Sequence, residues 1–215
     1  MAHWLPLFPL RVVLFPGAEL TLRIFEPRYK ALLEDCMRDD VPFGIVYTQE
    51  EDGDARVHMA AVGCTAHIDE ATPYEDGTFV VRIFGGERFR IGELDRQSKP
   101  YLIGSTEPVV EVPDVRPDDP IFRSIETLLD VYRELLEEVD PSMVADIGEI
   151  TSEVDLSYLP FDQMILPDEK RQQALEVRSM RQRCDMGVSM LRVEIETLRF
   201  LLHDTEDEFA VGRLN

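Results

Sequence analysis

The hydrophobic period of this chain changes once along its length, near Pro113, and that change constrains the fold more than any other feature. Before it, apolar and polar residues alternate in short runs, for example between Leu20 and Ile24. A period of two is typical of strands with one buried face. After it, apolar residues recur every three or four positions, which is typical of amphipathic helices. We therefore predict a β-rich domain over residues 1–113 and a helical subdomain over 114–215.

The β-rich part predicts a small, strongly bent sheet, because many short strands with regular turns are typical of barrels and sandwiches. Glycine and acidic clusters separate the runs, and Gly85-Gly86 predicts a turn between two strands. One helix interrupts the strands from Pro27 to about Met37, and we expect it to lie across an opening of the barrel. The predicted strand runs are Leu20–Ile24, Phe43–Tyr47, Val57–Ile68, Thr78–Phe84, Phe89–Ile91 and Leu102–Val112.

After Pro113, the apolar spacing of three and four and the prolines between the periodic segments predict several helices joined by breaks. Residues 114–120 hold two prolines and three aspartates, which indicates a turn. A helix follows over 121–139, and a break is expected from Leu159 through Pro167. A single long helix is then predicted over 168–203, because its apolar positions are spaced by three and four throughout. Those positions are Val177, Met180, Cys184, Val188, Leu191, Ile195, Leu198 and Leu202.

The charge of the chain argues against several classes of partner. There are 22 Lys+Arg against 43 Asp+Glu, a formal net charge of -21. Affinity for nucleic acid depends on cations that displace counterions, and anionic lipid also attracts cations, so neither partner is expected. No stretch approaches the ~18 apolar residues of a membrane span. Three cysteines and the lack of a leader-like N-terminus predict a reducing, cytoplasmic location.

Motifs for catalysis and cofactor binding are missing from the sequence. There is no P-loop, no G-x-G dinucleotide fingerprint, no G-x-S-x-G nucleophile elbow and no H-E-x-x-H zinc motif. Cys64 and His67 form an isolated C-x-x-H, but residues three apart on a strand point to opposite faces. The pair is therefore interpreted as structural rather than as half of a metal site. We expect no catalytic residue, no metal and no cofactor, and so no enzyme.

One segment carries a specific resemblance. Leu5 to Gly17 reads L-P-L-F-P-L-R-V-V-L-F-P-G. This is similar to the L-P-L-x-P-L-R-x-x-V-x-F-P-G opening of the N-terminal substrate-binding domain of the Lon protease family. Further segments resemble the same family in the same order: Leu22–Tyr29, Phe43–Val46, Val62–Ala66, Gly77–Ile91, Pro100–Leu102 and, more weakly, Leu166–Glu176.

The resemblance implies an α+β fold, a PUA-like β pseudobarrel with one crossing helix, followed by a helical bundle with a long C-terminal helix. In the full-length proteases an AAA+ ATPase and a Ser-Lys peptidase follow this region. This chain lacks a P-loop and ends at Asn215. It is therefore expected to be a free-standing member that neither hydrolyses ATP nor cuts peptides, and that either works with a separate ATPase-protease or acts alone.

The first functional hypothesis is a binding module for exposed apolar or extended polypeptide, acting through a groove or an added strand. Its candidate residues lie near the strand–helix junction and the predicted hairpin: Phe25, Tyr29, Phe84, Arg88 and Phe89. The first alternative is an RNA-binding PUA-like domain, which the net charge opposes. The second is a small-molecule enzyme with an unrecognised site, which a deep polar pocket would indicate. Both a monomer and a dimer are compatible with the sequence.

Overall fold

The computed structural model describes residues 3–50, 57–145, 147 and 152–212, with side chains except at 50, 57 and 204–212. Contacts divide the chain into two compact units. The barrel unit is Met1–Val112 together with Leu166–Arg178, and the helical unit is Pro113–Ile165 together with Ser179–Asn215. The division therefore differs from a single boundary after residue 113, because one later segment returns to the barrel unit.

The strands of the barrel unit form one sheet that closes on itself. Neighbouring strands follow the order β1-β7-β6-β5-β3, and a parallel pairing of β1 with β3 completes the circle. Two strands lie outside this circle, since β4 pairs with the end of β3 and β2 pairs with β6. The strands are β1 His3–Leu10, β2 Glu19–Ile24, β3 Phe43–Glu50, β4 Val57–Met59, β5 Val62–Pro73, β6 Phe79–Asp95 and β7 Leu102–Pro108.

Alternation along the strands fills two separate apolar cores. In β1, Phe8 and Leu10 contact the larger core, while Leu5 and Leu7 contact the smaller one. Successive side chains of a strand point to opposite faces, so one strand can contribute to both. Helix α1 (Pro27–Asp39) packs its buried face, which includes Tyr29, against the larger core. The α+β fold predicted from the sequence is confirmed.

The turn predicted at Gly85-Gly86 is wrong, because β6 runs through both glycines without interruption. Gly85 instead provides a close approach between two backbones. Gly17 N–H donates to Gly85 O at 2.9 Å, and Gly85 N–H donates to Ala18 O at 2.9 Å. A Cβ atom at Gly85 would lie 1.9 Å from Phe15 O, so the glycine is needed for packing rather than for turning.

The helical unit contains α2 (Pro120–Val139), a 3₁₀ turn (Pro141–Met143), α3 (Glu153–Gln163) and α5 (Met180–Gly212). The break predicted from Leu159 is wrong in its first half, because α3 continues through Pro160. The ring of Pro160 packs against Gly187 of α5. A Cβ atom at Gly187 would lie 2.9 Å from Pro160 Cγ, so the glycine leaves room for the ring. Packing between these helices offsets the backbone hydrogen bond that a proline cannot make.

The single long helix predicted over 168–203 is also wrong in one respect. The helix α4 (Asp168–Glu176) ends before α5 begins at Met180, and Val177 is extended with ψ 122°. Arg88 donates to Leu175 O and to Val177 O, both at 2.7 Å. These two carbonyls accept hydrogen bonds from the buried Arg88 on β6 instead of from the backbone N–H groups of a continuing helix. The apolar stripe from Cys184 to Leu198 is buried on α5, as the spacing predicts, and Leu202 at its end is half-buried.

Candidate binding surface of the barrel unit

The face of β2, β6 and β5 that points away from the larger core is the candidate binding surface, and we call it the outer face. Leu20, Leu22 and Ile24 face the core, so the intervening residues of β2 point outward. The strand register places the three strands side by side along this face. Its residues are Glu19, Thr21, Arg23 and Phe25 from β2 and its end, Val80, Arg82 and Phe84 from β6, and His67, Glu70, Thr72 and Tyr74 from β5 and its end.

Two exposed aromatic side chains stand at one end of the outer face. The last paired row of the three strands is Ile24, Phe79 and Pro73. Phe25 and Tyr74 follow this row on the two strands that flank β6, and they are 63% and 55% exposed. Large apolar groups exposed near one another on a soluble protein are typical of interaction sites.

The turn beside these aromatics is held in place by hydrogen bonds. Tyr74 N–H donates to Thr78 O at 2.8 Å, and Gly77 adopts φ 73°, a conformation that glycine reaches without strain. The Asp76 carboxylate accepts from the hydroxyl and the N–H of Thr78, at 2.6 and 2.9 Å, and these bonds lower its pKa. Tyr74 is thus presented on a fixed loop rather than on a loose one.

Both arginines of the outer face have carboxylate partners. Arg23 pairs with Asp76 at 3.2 Å, and Arg82 contacts Asp69 at 2.6 Å and Glu70 at 3.3 Å. Exposed pairs of this kind contribute little to stability. They engage both arginines of the face, and the exposed Glu19 adds a further carboxylate. The accessible chemistry of the outer face is therefore aromatic and acidic.

Of the five residues proposed from the sequence, the structure places Phe25 and Phe84 on the outer face. Phe84 is half-buried in the row with Glu19 and His67. Tyr29 is buried on α1, where its ring stacks on Phe8 with centroids 4.0 Å apart. Burial raises the pKa of Tyr29. This ring supports the larger core and offers a partner little surface.

Arg88 and Phe89 are also buried, 5% and 3% exposed, and lie apart from the outer face. Phe89 packs with Leu7 and Val46 in the smaller core. The Arg88 guanidinium forms an ion pair with Glu111 and hydrogen bonds to two backbone carbonyls of the segment 175–177. The structure therefore gives both residues scaffold contacts, and it does not bring all five candidates into one site.

Tyr74 and the edge of β2 are parts of the surface that sequence reasoning missed. The Pro-Tyr-Glu-Asp-Gly stretch at 73–77 indicates only a turn. Its proximity to Phe25 depends on the pairing of both β2 and β5 with β6. A turn that contains a tyrosine among charged residues was the available signal, and it does not by itself specify a binding role.

The thiols do not suggest nucleophilic or metal chemistry. Cys36, Cys64 and Cys184 are free and buried, and burial raises the pKa of Cys36 to about 12 and of Cys184 to about 11. A thiol that stays protonated is a poor nucleophile and ligand. Cys64 is buried and His67 exposed, on opposite faces of β5. Within the described residues, no three His, Cys, Asp or Glu side chains are grouped so as to hold a metal ion.

A cavity of about 490 Å³ in the helical unit lies between the starts of α2 and α3. Two of its polar side chains, Asp119 and Ser152, cap those helices. Asp119 accepts from Ile121 N–H at 3.0 Å and pairs with Arg181, and Ser152 accepts from Asp155 N–H at 3.1 Å. We therefore place the candidate site on the barrel unit. Separately, no helix in the described part of the chain combines the length and apolar character needed to cross a bilayer.

Comparison with known proteins gives a consistent family match. A family profile described as the ATP-dependent protease La (LON) substrate-binding domain matches residues 4–193. The Lon protease of Anaeromyxobacter dehalogenans is 27% identical over 201 residues, which cover 91% of this chain and 24% of that protein. The Lon protease of Escherichia coli is 25% identical over 198 residues, covering 91% and 25%. The chain thus spans about a quarter of the length of these relatives.

Solved structures show the same similarity. A Lon N-terminal domain protein from Xanthomonas campestris has a TM-score of 0.61 and 26% identity, covering 87% of this chain and 98% of that one. The N-terminal domain of Lon protease from the Mycobacterium avium complex has a TM-score of 0.64 at 15% identity, covering 88% and 98%. The second likeness concerns the fold alone.

Proposed function

The chain belongs to the family of ATP-dependent protease La (LON) substrate-binding domains, and on that premise we propose that it is a non-catalytic module that binds exposed apolar or extended segments of other proteins. The observation that carries this proposal is the pair of exposed aromatics, Phe25 and Tyr74, at one end of an outer face whose two arginines are paired with carboxylates. Such a surface gains free energy when a partner covers the aromatic rings.

The free energy available from covering the two aromatic rings predicts binding of modest strength. An aromatic side chain buries about 150–250 Å² when it is covered, at roughly 25 cal/mol per Å². Two partly exposed rings therefore contribute a few kcal/mol before the entropy of ordering the partner is subtracted. Micromolar affinity for unfolded segments is the expected range, which suits a module that must release its ligands.

The activity of the whole protease is not carried over to this chain. The 215 residues contain no P-loop. We propose that the module presents its ligand to an ATPase-protease, with a separate protein as the candidate partner. The net charge of -21 opposes nucleic acid as a ligand. The three unpaired thiols fit a reducing, cytoplasmic compartment. The module can work as a monomer or as a dimer.

The test is a fluorescence anisotropy titration with a labelled, permanently unfolded protein, reduced and carboxymethylated α-lactalbumin. We expect saturable binding, and we expect Phe25→Ser to weaken it by about tenfold, which corresponds to about 1.4 kcal/mol. Trp4→Ser is the matched control, because Trp4 is exposed to the same degree as Tyr74 but lies on β1. Native α-lactalbumin is the control ligand.

Failure of the unfolded probe to bind at high micromolar concentration would contradict the proposal. Equal loss of affinity in the Phe25 and Trp4 variants would contradict the choice of the outer face, because it would show only a general apolar contribution.

A further inference from the structure

Strand β2 has an open edge beside the outer face. Among the described residues, β6 is the only strand with which β2 pairs, and it lies on one side of β2. An unpaired strand edge presents a row of N–H and C=O groups that can pair with another chain. The position of this edge next to Phe25 makes it the strongest candidate for a peptide-binding element.

The direction of the backbone groups along β2 follows from hydrogen bonds in the sheet. Gly85 N–H donates to Ala18 O, which marks this pair as hydrogen-bonded. In an antiparallel ladder the hydrogen-bonded pairs alternate, so Leu20, Leu22 and Ile24 bond to β6. The bond from Tyr74 N–H to Thr78 O shows that Thr78, Val80 and Arg82 of this stretch bond to β5. The residues between them on β6 therefore bond to β2, which agrees with the first argument. The backbone groups of the intervening residues, Glu19, Thr21 and Arg23, therefore point to the open edge.

Burial of the core-facing residues is consistent with an uncovered edge. Val81 and Ile83 on the central strand β6 have no exposed surface. Leu20 and Leu22, which face the same core from β2, remain partly exposed. The difference is expected where one flank of a strand has no neighbour.

The opposite edge of this three-stranded sheet is protected, whereas the edge of β2 is not. Beyond Ala66, β5 has no strand partner but β6 in the part of the chain that the structure describes. Its edge carries a bulge between Ile68 and Glu70 and ends at Pro73, which has no N–H. Bulges and prolines are devices that prevent strand addition. Glu19–Ile24 contains neither a bulge nor a proline, so one edge is blocked and the other is left able to pair.

We propose that the open edge of β2 binds an extended segment of an unfolded polypeptide as an added strand, hydrogen-bonded to the backbone of Glu19, Thr21 and Arg23. This inference rests on the proposed function and specifies how the ligand is held. Alternate side chains of the added segment lie beside Phe25 and the outer face, and the others cover Leu20 and Leu22. The ligand class is therefore a proline-free segment with apolar side chains.

Site-resolved amide hydrogen exchange by NMR on the full chain, with and without carboxymethylated α-lactalbumin, tests this directly. The amides of Thr21 and Arg23 should exchange quickly in the unbound protein and become protected at least about tenfold on binding. The amides of Leu20 and Leu22 should exchange slowly in both states, because they already bond to β6. The internal comparison within one strand separates edge pairing from general stabilisation.

A pair of variants at one position gives a second test. Thr21→Pro removes an outward N–H and blocks the edge without removing a bond to β6, and it should lower affinity more than tenfold. Thr21→Ala removes the same side chain but keeps the N–H, so the two variants differ in the backbone donor, and a folded Thr21→Pro should bind at least about tenfold more weakly than Thr21→Ala. If Thr21→Pro fails to give the parent circular dichroism spectrum, the exchange experiment decides.

Binding of the probe without protection at Thr21 and Arg23 would overturn the strand-addition proposal and leave the proposed function standing. Parent-like binding by a folded Thr21→Pro variant would overturn it in the same way. Absence of any binding would overturn both.

Discussion

Arg88 is the residue whose environment says most about how the barrel unit is held together. Its side chain is 3% exposed, and its guanidinium donates to the Glu111 carboxylate and to the carbonyls of Leu175 and Val177. A buried cation is tolerated only when it is paired and hydrogen-bonded. Its acceptors are far apart in the sequence, since Glu111 lies near the end of the β-rich part and Leu175 and Val177 lie at the end of α4. This one side chain therefore connects β6 to both segments.

Replacing Arg88 should therefore be costly. We expect Arg88→Met to lower the free energy of unfolding by about 3–5 kcal/mol, because it leaves a partly buried carboxylate and two carbonyls without their donor. Urea denaturation followed by circular dichroism measures the change. The matched control is Arg90→Met on the exposed side of the same strand, expected to change stability by about 0.5 kcal/mol or less. Equal effects of the two substitutions would contradict this account.

Gly85 and Gly77 are needed for different reasons: Gly85 for a close backbone approach, and Gly77 for a positive φ angle. At Gly85 an added Cβ would lie 1.9 Å from Phe15 O, whereas at Gly77, with φ 73°, it would lie 3.6 Å from Lys30 Nζ, an ordinary contact distance. We expect Gly85→Ala to destabilise by about 3 kcal/mol or more through forced backbone movement, and Gly77→Ala by about 1 kcal/mol through backbone strain. Thermal unfolding midpoints of the two variants measure this, and we expect the lower midpoint for Gly85→Ala. A lower midpoint for Gly77→Ala would contradict the close backbone approach at Gly85.

At the scale of elements, helix α1 is tied to the turn before β7 by one carboxylate. Asp35 accepts from Lys99 Nζ at 2.8 Å and from Tyr101 Oη at 2.6 Å, and Arg38 pairs with it at 2.8 Å. The bonds from Lys99, then Tyr101, hold the pKa of Asp35 well below its ordinary value of 3.8. The ionised form is thus the one that stabilises the folded protein.

The sign of the resulting pH dependence follows from that lowered pKa. The contribution of Asp35 is present above pH 3.8 and is lost as the pH falls toward the lower folded-state pKa. We expect Asp35→Asn to be less stable than the parent near neutral pH, and the difference to shrink steadily below about pH 4. Urea midpoints of both proteins from pH 7 to about pH 2.5 measure this. A difference that is constant with pH would contradict it.

Helix boundaries show where local patterns stop being sufficient. The apolar spacing from Val177 to Leu202 suits one continuous helix, yet the chain is extended at Val177, where its carbonyl accepts from Arg88. Pro160 suits a break, yet α3 passes through it, because its ring packs against Gly187. In both cases a contact with a residue distant in sequence outweighs a local preference of about 1–3 kcal/mol.

At the scale of the whole molecule, the return of Leu166–Arg178 to the barrel unit makes that unit discontinuous in sequence. Gln172 donates to Val62 O at 3.0 Å, and the Arg171 guanidinium lies 5.4 Å from the centroid of the Phe15 ring. Tyr47 and Gln49 both donate to the Glu169 carboxylate, at 3.1 and 2.9 Å. The segment is therefore part of the barrel's own structure.

A chain that ends after Val112 should in consequence be less stable than the barrel unit of the intact protein. It lacks Gln172, the carbonyl partners of Arg88, and the buried Ala174 and Leu175. We expect faster amide exchange in β5 and β6 and a lower thermal midpoint than in the full chain. Equal protection of these strands in the two proteins would show that the returning segment is dispensable.

Much of the architecture is readable from residues alone. Alternation at Leu20, Leu22 and Ile24 predicts a half-buried strand, the stripe from Cys184 onward predicts a half-buried helix, and the Leu5–Gly17 motif points to the Lon N-terminal family. Each of these signals is local, because it reports which face of one element is buried. Phe25 could be proposed from the end of its own strand, whereas the position of Tyr74 beside it depends on the pairing of β2 and β5 with β6.

The sequence by itself thus determined the kind of elements, their order and their family, since those depend on patterns within short stretches. Only the tertiary structure decided that β6 crosses Gly85 without turning, that residues 166–178 return to the barrel, and that β2 keeps an open edge beside Phe25 and Tyr74. Those features depend on hydrogen bonds and packing between residues far apart in the chain. A local hydrophobic pattern contains no record of which distant strand supplies the partner, or of which edge receives none.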